Sequence, residues 1–297
     1  QGQFLYRYGS MDEGGPVMER ALALLSSSDA RDAFALAQVV SAYIGVGLTP
    51  EERRQRLESS LWIYQELEDI WGIALSREVL GEFLTQQGDY EPAAVLLEQS
   101  LAGHRLTDNA WGTAMTLHAL AANEAAQGKR AQAMDHIEES IAIRKRIGDT
   151  RGVAISQALM GGWFLRSGDL PQAQELLETS VRGFQDFGDI GGAADALTVV
   201  GFVARRRGDL SRARSAYDAA LERFRALDRL PKIAETLHRL GQVALEMDDV
   251  PCARRFLEES LGVAKQAGDG QGFADVESDL ARALELERTA GDHPAPA

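Results

Sequence analysis

Gly88-Asp89-Tyr90 decides the fold, because it comes back. The same place is held by Gly128-Lys129-Arg130, Gly168-Asp169-Leu170, Gly208-Asp209-Leu210 and finally Asp248-Asp249-Val250, each 40 residues after the last. A short polar turn returning at a fixed step marks a repeat array, in which each unit contacts only its neighbours and the core grows lengthwise. Such an array is built to hold something. The turn itself does not name what is held.

The phase set by the turn predicts helix pairs in strict register. The first helix of a pair (A) spans 71–87 and the second (B) 90–106, and later A helices start near 111, 151, 191 and 231. The preceding pair, 31–46 and 50–67, lacks the Gly-Asp turn and carries Leu48-Thr49-Pro50 instead. In helix B, Ala93, Ala133, Ala173, Ala213 and Ala253 share one position, and Ser100, Ser140, Ser180, Ala220 and Ser260 another. Both are small enough to let backbones approach. Between them lies a large, mostly apolar residue: Leu97, Ile137, Leu177, Tyr217 and Leu257. In helix A, Leu80-Gly81 returns as Leu120-Ala121, Met160-Gly161, Val200-Gly201 and Leu240-Gly241. A mid-helix glycine is unfavourable by about 1 kcal/mol against alanine, so its return at one phase predicts tight helix crossing. Asp89, Asp169, Asp209 and Asp249 are expected to cap helix B, with Pro92, Pro171 and Pro251 in its first turn. Gly148-Asp149, Gly188-Asp189 and Gly268-Asp269 read as a left-handed C-cap followed by the N-cap of the next helix A.

The predicted organisation is therefore the end of a truncated repeat over 1–30, six tandem 40-residue units over 31–270, a capping helix over 271–290 and a disordered tail over 291–297. Gly2 and Gly9 repeat the spacing of Gly81 and Gly88, so Gly2–Gly9 reads as the second half of a helix A. The expectation is a longer protein with further repeats or domains upstream. Asp275, Glu277, Asp279, Arg282, Glu285 and Arg288 give the last helix the polar outer face of a cap.

The 297 residues carry a net charge of −14, which disfavours nonspecific nucleic-acid and anionic-membrane binding. A single cysteine, Cys252, rules out an internal disulfide framework and fits a reducing compartment. No apolar run approaches the roughly 18 residues of a membrane span. A cytoplasmic protein is expected.

The run Leu80-Gly81, Gly88-Asp89-Tyr90, Ala93, Leu97, Ser100 resembles the tetratricopeptide repeat, over nearly the whole chain. That family has a 34-residue unit. The period here carries six more, placed at the B-to-A junction (Asp108–Thr113 and its echoes). Lengthened repeats of this kind are similar to the sensor arrays of bacterial signal-transduction ATPases of the STAND type and related regulators. The resemblance implies an all-α fold: a right-handed superhelical solenoid of antiparallel helix pairs, with about six full repeats, an N-terminal partial repeat and a C-terminal capping helix. It further implies a non-enzymatic recognition module, the sensor array of a larger regulator. The alternative is a constitutive scaffold or adaptor joining two proteins.

No catalytic or metal-binding pattern competes with that reading. His-Glu-x-x-His, Gly-x-Ser-x-Gly and Cys-x-x-Cys are missing, and the five histidines have no ligand spacing. Gln127-Gly128-Lys129-Arg130 is a repeat turn rather than a phosphate loop. No cofactor is expected.

In the family, helix A lines the concave face. The corresponding candidates here are Glu78 and Glu82, Met115 and His118, Arg166, then Asp195, Phe202, Arg205 and Arg206, and finally Glu235, His238 and Gln242. The Lys/Asn set with which some members clamp a C-terminal carboxylate is missing, which argues against a chaperone tail. Ala122, Ala125, Ala126, Ala158 and Gly162 supply a small apolar floor, and residues 199–239 carry ten Arg/Lys against five Asp/Glu. The expected groove has an apolar floor and a cationic wall, suited to an acidic peptide, a protein segment or an anionic small molecule. On the plainer reading, Arg205–Arg207 simply close a helix A at its favourable C-terminal end.

Overall fold

The computed structural model describes residues 11–26, 29–268 and 273–292. Among them lie fourteen α-helices and no strand. In order these are α1 (Met11–Leu25), α2 (Arg31–Ile44), α3 (Pro50–Glu66), α4 (Ile70–Gln87), α5 (Tyr90–Leu106), α6 (Ala110–Ala126) and α7 (Arg130–Arg146). There follow α8 (Thr150–Ser167), α9 (Leu170–Phe187), α10 (Ile190–Arg206), α11 (Leu210–Ala226), α12 (Leu230–Glu246), α13 (Val250–Ala267) and α14 (Phe273–Asp292). The chain divides into two compact units between Gly152 and Val153, inside α8.

The repeating turn works as a helix stop. Gly88 sits at φ 89°, where a Cβ is penalised, and this lets the Asp89 N–H reach back to the Leu84 carbonyl at 3.0 Å. The same bond returns at Lys129 to Glu124, Asp169 to Phe164, Asp209 to Ala204 and Asp249 to Ala244. The last turn achieves it with Asp248 at φ 58°, aspartate being one of the few side chains that tolerate this region. The B-to-A turns close identically, with N–H groups of Asp69, Asn109, Asp149, Asp189 and Arg229 donating to the carbonyls of Tyr64, His104, Arg144, Phe184 and Phe224. Carbonyls that a helix end would leave orphaned are thus satisfied locally.

Within the first unit, Ala74 of α4 meets Ser100 and Gly103 of α5, while Gly81 meets Leu97 and Ala93. As one number rises the other falls, so the pair is antiparallel. A Cβ on Gly81 would stand 2.6 Å from Leu97 Cγ, which explains the glycine. In the first unit the pairs α2–α3, α4–α5 and α6–α7 pack one on another in that order. In the second unit α9 to α14 pack in sequence, and a Cβ on Gly201 would likewise stand 2.7 Å from the Tyr217 ring.

The serine column does more than leave room. Ser60, Ser100, Ser140, Ser180 and Ser260 are fully buried, and their hydroxyls donate to the carbonyls of Ala35, Ala74, Ala114, Ala154 and Ala234 at 2.6–2.9 Å. Each bond contributes on the order of 1 kcal/mol and ties helix B to its helix A.

Several local expectations are revised. Residues 110–113 form the first turn of α6 rather than a junction insertion, so the long period lengthens the helices. From α3 to α13 these have 17 or 18 residues, joined by two or three. Asp169, Asp209 and Asp249 cap their helices by accepting from the N–H three residues on, whereas Asp89 makes no side-chain cap bond. Helix α1 runs from Met11 through Pro16 to Leu25, within the segment expected as a truncated repeat. Helix α14 reaches Asp292, two residues into the segment expected as tail. The Gly2–Gly9 stretch, Asp269 and residues 293–297 lie outside the described residues.

Candidate functional site

In the first unit the candidates gather around buried charge. Glu78 and Glu82 lie one turn apart on α4, and Met115 and His118 on α6. Glu78 is only 3% exposed; its Oε2 accepts from Thr116 Oγ1 at 2.8 Å and lies 3.1 Å from His104 Nε2 of α5. His104, equally buried, is held from the other side by Asn109, whose Nδ2 lies 3.1 Å from Nδ1. Because Asn109 Oδ1 already accepts from the Gly112 N–H, its amide nitrogen must face the ring. Nδ1 is therefore the acceptor, and Nε2–H donates to Glu78.

Arg144 of α7 is the second buried charge, 1% exposed. Its Nε donates to Ser140 Oγ at 3.2 Å, Nη1 lies 3.5 Å from Asp149 Oδ2, and Nη2 meets the Met115 thioether at 3.1 Å. Gly152 leaves it room, since a Cβ there would stand 2.0 Å from Nη1. Its charge reaches the face. Burial, helped by Arg144, pushes the His118 imidazole down to about 3. Burial, helped by the Glu78 carboxylate and opposed by Arg144, pushes the Glu82 carboxyl up to about 8. At neutral pH this face presents a neutral imidazole and a protonated carboxyl, able to donate and accept hydrogen bonds at low charge.

His104, Asn109 and Arg144 lie off helix A and were missed by reading it alone, and Thr116 on α6 was not among the candidates. The signal was one column of helix B, which runs Tyr64, His104, Arg144, Phe184, Phe224. Two polar residues stand in an aromatic column.

In the second unit the candidates form a ladder of ion pairs. Arg205 donates from Nε and Nη2 to Glu246 at 2.8 and 2.6 Å, and from Nη1 to Gln242 at 2.7 Å. His238 and Gln242 both meet Asp279 of α14, at 2.8 and 3.0 Å. Lys232 pairs with Asp195 at 3.2 Å and Arg239 with Glu235 at 2.6 Å, while the Arg239 guanidinium lies over the Phe202 ring. Phe202, Arg205, Asp195, Glu235, His238 and Gln242 are thus brought together, whereas Arg166 and Arg206 stand exposed at the ends of α8 and α10. The wall is cationic in composition and largely charge-balanced in place. Of the expected floor, Ala122, Ala125 and Ala126 belong to the first unit, and Ala158 and Gly162 to the second. A side chain on Gly162 would meet open space. Among the described residues no group of three or more His, Cys, Asp or Glu is placed to hold a metal ion, and no helix is long and apolar enough to cross a membrane.

A sequence profile described as tetratricopeptide repeat matches residues 72–146, 112–186 and 192–266. No curated protein sequence matches the chain. Among solved structures, a signal transduction ATPase with numerous domains and a tetratricopeptide repeat sensor, from Pyrococcus horikoshii, superposes with a TM-score of 0.70 at 12% identity. It covers 95% of this chain, and this chain spans 45% of it. Aspartyl phosphate phosphatase F from Bacillus subtilis gives 0.66 at 13% identity, covering 97% of this chain and 80% of its own. A Rap protein complexed with competence and sporulation factor gives 0.63 at 12%, covering 91% and 80%. At such identities the likeness speaks for the fold alone.

Proposed function

The chain belongs to the tetratricopeptide-repeat family, a family of protein-binding modules, and on that premise we propose that it is the sensor array of a larger signal-transduction or transcriptional regulator. It takes a peptide, a protein segment or an anionic small molecule on its helix-A faces and catalyses no reaction. The observation that carries this reading is a contrast between columns. The packing columns hardly vary, alanine at 93, 133, 173, 213 and 253 being the clearest, whereas one face column runs Glu78, His118, Ala158, Thr198, His238 and another Glu82, Ala122, Gly162, Phe202, Gln242. A face whose chemistry changes at every step is suited to reading a ligand. The STAND relative, with its tetratricopeptide repeat sensor, supports the role of an array within a longer regulator. On this reading the module works in the cytoplasm, and the other domains of its own chain are its second partner.

Affinity capture from the native organism's lysate, with mass spectrometry of proteins and small molecules, tests the reading. A partner retained by the native chain should be lost from Glu82→Ala and from Arg205→Glu/Arg206→Glu while helicity is unchanged. Full retention by both folded variants would sink it.

A further inference from the structure

The helix-B column Leu97, Ile137, Leu177, Leu257 is apolar, yet between the last two stands Tyr217. Tyr217 is fully buried, its ring packs on Gly201, and its hydroxyl has no hydrogen-bond partner. Arg239 carries the same defect beside it. Its Nε is closed to solvent and unpartnered, while its Nη2 holds Glu235 and its guanidinium lies over Phe202. The two lie side by side: burial pushes the Tyr217 phenol up, while the Arg239 charge, a loose side-chain contact between Arg239 and the phenol that falls short of a formed hydrogen bond, and the Arg205 charge oppose it.

Buried donors are rarely left unmade, because the cost of an unsatisfied group exceeds what a made bond returns. Here an O–H and an N–H lie together. One anionic acceptor would satisfy both. We propose that Tyr217 and Arg239 form a carboxylate-binding site in the second unit, one oxygen accepting from Arg239 Nε–H and from the Tyr217 hydroxyl. The guanidinium lifts from Phe202 to admit the ligand, and the ring then packs on its aliphatic stem. The carboxylate belongs to an acidic side chain of a peptide or to a free dicarboxylic acid. The site deepens the recognition role proposed above and rests on it.

The probes are glutarate and acetylated, amidated tetraglutamate, with tetraglutamine as control, titrated while the side-chain Nε–H resonances of the arginines are followed by 15N NMR. The Arg239 signal should shift and saturate with a carboxylate probe and stay still with tetraglutamine. Tighter binding per carboxylate by tetraglutamate identifies a peptide source, and by glutarate a free acid. Tyr217→Phe, and Tyr217→Leu, which restores the column's usual residue, should weaken binding about ten- to hundred-fold. Arg182→Gln, an exposed arginine of the same unit with no part in the site, should leave it unchanged. Should both tyrosine variants fail to fold, Arg239→Lys serves, since it keeps the charge and removes the Nε–H; the same loss is expected. No Arg239 shift, undiminished affinity in these variants, or an equal loss in Arg182→Gln would overturn the site. A partner captured from lysate alongside a failed glutarate titration would leave the recognition role standing without this site.

Discussion

His104 and Arg144 in the first unit occupy the helix-B position that Phe184 and Phe224 fill in the second. The carbonyls of all four accept the same turn-closing N–H, so the scaffold does not depend on the side chain there. The first unit uses that freedom to bury charge beneath its face, and the second buries aromatic rings and keeps its charge paired on the surface. Repeat geometry and recognition chemistry are thus set by different columns.

The comparison breaks most easily at His104. His104→Ala leaves Glu78 buried with Thr116 as its remaining partner, and a loss of about 3 kcal/mol is expected from denaturant unfolding. The double variant Glu78→Leu/His104→Phe, which copies the apolar style of the second unit, should recover most of it. A double variant as weak as the single one would mean that the polar network is not exchangeable for an apolar core. The shared scaffold is tested by Gly81→Ala and Gly201→Ala, whose new Cβ atoms would stand 2.6 and 2.7 Å from Leu97 and Tyr217. Each should cost about 2 kcal/mol by overpacking, and similarly in both units.

A finer difference lies in pH dependence. The folded protein holds a proton on Glu82 up to about pH 8, whereas the unfolded chain releases it near the ordinary 4.5. The stability contributed by this site is therefore present in acid and lost as pH rises from 4.5 to about 8. Glu82→Gln, which imitates the protonated form, should gain on the native chain when urea midpoints at pH 5 and pH 8 are compared. His118 acts oppositely: its folded form stays neutral to about 3 while the unfolded one protonates near 6.5, so stability is lost as pH falls across that window. The smallest effect belongs to the second unit's surface. Glu246→Gln, at a pair half open to water, should change stability by less than about 1 kcal/mol.

The architecture was legible because its causes recur. A left-handed turn residue, an alanine where backbones cross and a glycine facing Leu97 each repeat at one phase, and one aligned column carries the evidence of several. The caps were read less well: Asp169 and Asp209 cap, and Asp89, in the same position, does not. The face positions on helix A followed from the same phase. What lay beneath them did not, because His104, Arg144 and Tyr217 belong to helix B and enter the site through side-chain reach that phase alone does not reveal. Each was visible as a mismatch within its own column. The balancing of Arg205 and Arg239 also escaped the sequence, since phase alone does not pair Arg205 with Glu246 or Arg239 with Glu235.

The buried serines carry a consequence for how the chain acquires its shape. Each hydroxyl bonds a carbonyl 25 or 26 residues back, and Ser60 and Ser100 also meet Ser76 and Thr116, 16 residues ahead. Contacts of such short reach close small loops at little entropic cost. No distant segment has to arrive before a helix pair can form, so folding can begin at any repeat and spread to its neighbours.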